Sequence, residues 1–114
     1  MTPTLYQFKL AIPGKDDGFW ACRDDLSLIF SSAKNGRHGK ANAVAVYVAL
    51  CRLAADMHSA TFRARPWDIR KQCVAIEESA IVRALRELSR LGIIRLKAKD
   101  SLGFVTISLE RCHL

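Results

Sequence analysis

Apolar and polar positions repeat with two different periods along this 114-residue chain, and the period distinguishes strands from helices. Residues 5–13 alternate every second position, which predicts a half-buried strand ended by Pro13-Gly14. Over residues 41–57 and again over 76–91, apolar residues recur at helical spacing. Gly92 follows the second of these helices at the position where a left-handed residue commonly ends a helix.

Shorter segments complete the pattern before residue 41. Residues 23–32 predict a short helix capped by Asp24 or Asp25. Its inward residues should be Leu26, Ile29 and Phe30. Residues 31–40 are polar, basic and contain two glycines, so we expect a mobile loop or a domain boundary there.

The remaining elements lie between the two long helices and after them. Residues 60–65 predict a short strand or an extended connection, and Pro66 suits the first turn of a helix that buries Trp67 or Ile69 with Cys73 and Val74. Residues 93–97 and 104–109 are two β-type runs that should pair as a hairpin. The pattern predicts an α+β fold, with residues 1–40 as an N-terminal extension and residues 41–114 as the main domain.

The helix over residues 41–57 is apolar on two faces, so it must pack against two partners. One face carries Val44, Tyr47, Val48 and Cys51; the other carries Val46, Leu50, Leu53 and Met57. The main core covers one face, and either the N-terminal segment or a second subunit covers the other. We expect a homodimer contact.

Three segments together resemble the winged helix-turn-helix DNA-binding domains of bacterial, phage and plasmid regulators and replication proteins. "AVAVYVALCRLA" resembles the first helix, "SAIVRALRELSRLGIIR" the recognition helix with its exit, and "GFVTISL" the return strand of the wing. The resemblance covers about residues 41–109. It implies a three-helix core with a C-terminal β-hairpin wing, and double-stranded DNA as the partner.

The resemblance and the helical spacing together nominate three groups of DNA-binding residues. A major groove about 12 Å wide admits an α-helix, and arginine can donate two hydrogen bonds to guanine. The outward face of the third helix carries Ser79, Val82, Arg83, Arg86 and Arg90, of which the first four are the expected groove contacts. The wing carries Arg95, Lys97 and Lys99. The preceding helix and strand carry Arg63, Arg65, Arg70 and Lys71, which could hold the phosphate backbone.

The charge distribution supports a polyanionic partner, with one local exception. The chain has a net charge of +7, and residues 1–30 contain three basic and four acidic residues, so the basic charge lies in the remainder. Glu77 and Glu78, however, stand at the start of the third helix. They suit the positive end of a helix but are poor neighbours for a phosphate. Either Glu78 accepts a hydrogen bond from cytosine or this end stays off the DNA.

Other kinds of site find little support in the sequence. The arginines of the third helix could be a solvated face, and Trp20, Trp67 and Tyr47 are expected in the core. Cys22 with Cys112-His113 matches no standard zinc spacing, so we expect no metal and no cofactor. Asp16/Asp17 and Asp24/Asp25 lack a partnered nucleophile, so we expect no enzyme. Cys51 and Cys73 lie in apolar helical patterns and should be buried thiols of a cytoplasmic protein with no membrane span.

The expected function is therefore that of a sequence-specific DNA-binding protein. It would act as a transcriptional repressor, as a binder of a plasmid or phage replication or partition site, or as a relative of a replication initiator's N-terminal module. The alternative is a winged-helix adaptor that binds another protein through its N-terminal extension, whose edge strand could join a partner's sheet.

Overall fold

The computed structural model describes residues 5–9, 18–32, 36–73 and 76–110, and it describes side chains from Ala21 onward apart from Arg37. The elements in chain order are β1 (Leu5–Lys9), β2 (Gly18–Cys22), α1 (Arg23–Ser32), α2 (Gly36–Met57), β3 (Thr61–Ala64), α3 (Pro66–Gln72), α4 (Glu78–Arg90), β4 (Ile94–Lys97) and β5 (Val105–Leu109). The fold is mixed α+β, as the sequence predicts.

Two antiparallel sheets contain the strands of the described residues. β1 pairs with β2, while β3, β5 and β4 form a three-stranded sheet with β5 in the middle. The predicted hairpin is confirmed, because Ile94 faces Leu109 and Lys97 faces Thr106 across β4 and β5. The short strand β3 pairs with the other edge of β5 and places Phe62 opposite Ile107. Both of these side chains are buried, so the sheet has one apolar face toward the helices.

Helix α2 is the central element of the molecule. It packs against α4, α3 and β3 and also against β2 and α1 of the N-terminal extension. Both predicted apolar faces are largely buried within the chain, with Val46, Leu50 and Tyr47 fully buried and Met57 exposed. The N-terminal extension therefore covers the face that suggested a dimer contact. The homodimer stays a prediction, but this face no longer supports it.

A buried hydrogen-bond chain fastens the extension to α2. The Tyr47 hydroxyl donates to a carboxylate oxygen of Asp25 at 2.9 Å and accepts the backbone N–H of Cys22 at 2.9 Å. Asp25 is almost fully buried, so such hydrogen bonds replace the water that its carboxyl group would otherwise bind. The predicted cap at Asp24 or Asp25 is wrong. The helix already begins at Arg23, so both aspartates lie within its first turn, and the Asp25 carboxylate accepts the Tyr47 hydroxyl.

Three further expectations about the N-terminal half need correction. The predicted loop over residues 31–40 is wrong where the structure describes it, since α1 runs to Ser32 and α2 begins at Gly36. The division at residue 40 accordingly falls inside a helix. Phe30 was expected to face inward, but 61% of it is exposed, because α1 buries Asp25 and Ile29 on its inner face instead.

The core predictions for aromatic and sulfur-containing residues have mixed outcomes. Tyr47, Cys51 and Cys73 are buried as expected. Trp67 is not in the core: 48% of it is exposed, and Ile69 on the opposite side of α3 fills the interior in its place. The predictions for Val74, Cys112 and His113, and for the side chain of Trp20, lie outside the described part of the chain.

Candidate nucleic-acid interface

The exposed face of α4 carries the five residues that the sequence nominates there. Successive residues of a helix are about 100° apart, so Ser79, Val82, Arg83, Arg86 and Arg90 fall within an arc of about 100°. The opposite face is buried, with Ile81, Ala84, Leu85 and Leu88 against the core. On the outward face Val82 is half-buried and the other four residues are exposed.

Two arginines on this face are available to a ligand. Arg83 and Arg86 line a shallow depression together with Glu87 and Arg90. Neither makes a hydrogen bond or an ion pair with another residue that the structure describes. A guanidinium without a protein partner keeps its full set of donors for a base edge or a phosphate.

Arg90 has an internal role on the same face. Its Nε donates to Oε1 of Glu87 at 2.6 Å, and its Nη2 donates to the Ser32 carbonyl oxygen at 3.0 Å. Glu87 is only 8% exposed, so the guanidinium compensates a nearly buried carboxylate. Lys40 donates to the Phe30 carbonyl oxygen at 3.0 Å, so two cations from other helices stabilise the C-terminal end of α1.

The C-terminal end of α4 leads directly into the β4–β5 hairpin. Gly92 has a φ of 76°, its N–H bonds to the Ser89 carbonyl, and the N–H of Ile93 bonds to the Leu88 carbonyl. These two bonds form a Schellman cap, which confirms the predicted helix end. Because the turn is this short, β4 lies beside the end of α4, and Arg95 shares a depression with Ser89.

The three nominated cations of the hairpin are all exposed. Burial alternates along β4, which turns Arg95 and Lys97 outward and Ile94 inward. Arg95 forms an ion pair with Glu110 at 3.1 Å. Lys97 and Lys99 form no ion pair within the described part of the chain.

The cations around β3 and α3 form an organised cluster. The guanidinium carbons of Arg63 and Arg65 lie 4.8 Å and 5.0 Å from the centre of the Phe104 ring. Arg63 also forms an ion pair with Asp100, and Arg65 with Asp68. Stacking and ion pairing together fix the orientation of both guanidinium groups.

The two acidic partners in this cluster have lowered pKa values. The pKa of Asp68 falls below its usual value mainly because its carboxylate accepts the backbone N–H of Arg65 at 2.9 Å. Desolvation raises the pKa of Asp100. The N–H groups of Phe104 and Leu102 and the Arg63 side chain outweigh it, so the pKa is lowered overall. Both carboxylates are therefore charged at neutral pH and reduce the free positive charge of the cluster.

An exposed aromatic side chain stands beside the last two nominated residues. Arg70 and Lys71 each lie 5.8 Å from the ring centre of Trp67 on α3. Trp67 was expected in the core, so this exposed surface was not predicted from the sequence. The spacing of Trp67 and Ile69 does indicate this surface, because residues two apart on a helix point in nearly opposite directions and only one of them can be buried.

The acidic start of α4 stays at the surface. Glu77 is the residue before the first helical turn, and its side chain makes no capping hydrogen bond to the backbone. Glu77 and Glu78 are both exposed. No hydrogen bond or ion pair with another described residue neutralises these two carboxylates, so their negative charge stays exposed at the start of α4.

A cleft of about 380 Å³ separates the first turns of α2 from α4. It is lined by His38, Gly39, Asn42, Ala80, Arg83, Ala84 and Glu87. This cleft was not predicted from the sequence, because residues 31–40 were expected to form a loop, whereas α2 begins at Gly36 and faces α4 there.

Two other kinds of site were sought in the described residues. No group of three or more His, Cys, Asp or Glu side chains among them is arranged to hold a metal ion. None of the helices they form is both long enough and apolar enough to cross a membrane.

Comparison with known proteins leaves the family open. No protein-family model matches the chain, and no curated protein sequence or solved structure shows significant similarity to it.

Proposed function

We propose that the chain is a cytoplasmic winged helix-turn-helix protein that binds double-stranded DNA, with α4 in the major groove and the β4–β5 hairpin as the wing. The order of elements from α2 to β5 supports this reading. So do the short connection from α3 to α4 and the pairing of β5 with both β3 and β4.

The observation that carries the proposal is that Arg83 and Arg86, on the exposed face of α4, have no hydrogen-bond or ion-pair partner among the described residues. An α-helix with its side chains is about 10–12 Å across and fits a major groove about 12 Å wide. Arg83 and Arg86 lie on the side that would meet the base edges and the adjoining phosphates. Lys97 and Lys99 on the wing would add backbone contacts that strengthen binding without specifying sequence.

The biological consequence that we propose is repression of transcription or the marking of a replication or partition site. Two copies bound as a dimer would place their α4 helices in successive major grooves, about 34 Å apart, on an inverted repeat. Selection of bound duplexes from a random pool, at low and at moderate salt, tests both points. We expect an enriched inverted repeat and affinity that falls steeply with salt.

A charge reversal on α4 provides the sharper test. Arg86→Glu should lower affinity for the selected duplex by at least about 100-fold, because a base or phosphate contact is lost and repulsion replaces it. Arg23→Glu is the matched control, since it makes the same change of charge at an exposed residue of α1. If Arg86→Glu binds the selected duplex as tightly as the control, α4 is not the DNA-reading helix.

Interaction with a protein partner is the second candidate. Four of the nominated cations, Arg63, Arg65, Arg90 and Arg95, already have acidic partners within the chain. The exposed Glu77 and Glu78 add negative charge at the start of α4. A protein of this net charge that reads DNA also binds random duplexes at low salt. Absence of that binding at low salt would favour the adaptor.

A further inference from the structure

We propose that the cleft between α2 and α4 binds a phosphate group, with Arg83, His38 and Asn42 as its donors. The proposal extends the proposed function insofar as that phosphate belongs to a DNA backbone. Two helices contribute the donors, so the site exists only in the folded protein. The site also assigns a role in binding to the first turns of α2, which lie outside the exposed face of α4.

The position of the cleft follows from how a helix fills a groove. When α4 lies in the major groove, its outermost residues meet the bases and its two flanks face the two phosphate strands. Arg83 lies toward the α2 flank of the exposed face, and the cleft opens beside it. Arg95 marks the opposite flank, next to Ser89. Cationic side chains therefore stand on both sides of the face that enters the groove.

The chemistry of the lining suits a tetrahedral anion. The Arg83 guanidinium, the Asn42 amide and the His38 ring all carry N–H donors. Gly39 and Ala80 are small, so the space between the helices is not filled by side chains. The one carboxylate in the lining belongs to Glu87, and Arg90 is bonded to it, which removes most of its repulsion for an anion.

This assignment gives Arg83 and Arg86 different roles in DNA binding. Arg83 would hold the backbone, and Arg86 would be left to distinguish base pairs. Arg83→Gln should then weaken binding to all duplexes by a similar factor and reduce the salt dependence by about one counterion. Arg86→Gln should reduce the preference for the selected site over a random duplex instead.

The decisive comparison uses two neighbouring residues of α2 in the full chain. Asn42→Asp places a carboxylate in the cleft, whereas Ala41→Asp places the same charge on the adjacent exposed residue outside it. We expect Asn42→Asp to bind DNA about tenfold more weakly than Ala41→Asp, because only the first charge meets the phosphate directly. Ala80→Leu, which fills the cleft without changing charge, should weaken binding as well.

A second measurement separates the two sources of phosphate. Inorganic phosphate is titrated into the DNA-free protein at constant ionic strength, with chloride as the reference, while the amide NMR signals of Gly39 and Asn42 are followed. A saturable shift that is lost in Asn42→Asp would identify a free phosphoryl ligand. No shift, together with weaker DNA binding by Asn42→Asp, would identify a backbone phosphate.

The outcomes also distinguish the two proposals from each other. If the protein binds duplexes, Asn42→Asp equals Ala41→Asp and phosphate gives no shift, the cleft proposal is wrong and DNA binding stands. If the protein binds no duplex even at low salt but phosphate gives the saturable shift, the cleft stands and the proposed function fails.

Discussion

Two helices of this chain end in backbone with a positive φ, and different residues occupy that position. Gly92, after α4, has a φ of 76°, and His58, after α2, has a φ of 52°. The N–H of His58 bonds to the Ala55 carbonyl and the N–H of Ser59 to the Ala54 carbonyl, which is the same cap that follows α4. A side chain with a Cβ is strained in this region, whereas glycine is not.

His58→Gly should therefore raise the free energy of unfolding, by about 0.5–1 kcal/mol, because relief of strain exceeds the entropy that glycine adds to the unfolded chain. Chemical denaturation monitored by circular dichroism measures the change. His58→Ala is the control and should not stabilise, since it keeps the Cβ. The converse substitution, Gly92→Ala, should destabilise by about 1 kcal/mol through the backbone alone, because no described residue other than its two chain neighbours has an atom within 4 Å of the added Cβ.

Among the elements, α3 depends on a single carboxylate at its start. Asp68 accepts the N–H of Arg65, the residue before the helix, and its Oδ2 is also 3.4 Å from the Arg65 Nε. A helix of seven residues has few internal hydrogen bonds, so a cap contributes a large share of its stability. The same contact orients Arg65 over Phe104, and so links the start of α3 to the β4–β5 hairpin.

Asp68→Ala should lower the free energy of unfolding by about 1 kcal/mol at neutral pH. The pKa of Asp68 is depressed in the folded protein, so its contribution is present above its ordinary value of 3.8 and is lost as the pH falls through the depressed value. Urea denaturation of both proteins at pH 7 and at successively lower pH should show the difference shrinking in acid. A difference that is independent of pH would mean that the carboxylate charge does not support the cap.

At this scale the sequence was informative wherever one face of an element was periodic. The apolar stripe of α4 and the glycine at its end were predicted because each depends on neighbouring residues. The start of α2 was missed because Gly36 and Gly39 are poor helix formers, and packing against α1 and α4 outweighs that preference. The Arg63–Asp100 ion pair could not be predicted, since its partners are 37 residues apart.

For the molecule as a whole, the N-terminal extension is the main departure from the expected plan. The sequence predicted a boundary at residue 40 between an N-terminal extension and the main domain, yet β2 and α1 pack against α2, and Lys40 and Arg90 bind the C-terminal carbonyls of α1. The extension thus lies beside the same helix, α4, whose outer face is the proposed reading surface. The exposed face of α4 and the cleft beside it therefore depend on elements from both halves of the chain.

A cooperative unit of this kind should unfold in one transition. Trp20 lies on β2 and the second tryptophan, Trp67, is on α3, so Trp67→Phe leaves fluorescence to report the extension alone. In this variant the urea curve from Trp20 fluorescence should coincide with the curve from helical circular dichroism. Adding Tyr47→Phe removes the hydroxyl between Asp25 and Cys22. It should lower the free energy of unfolding by about 2 kcal/mol and shift both curves together to lower urea concentration. A fluorescence transition at lower urea than the circular dichroism transition would show that the extension unfolds separately, and α4 would then keep its shape without it.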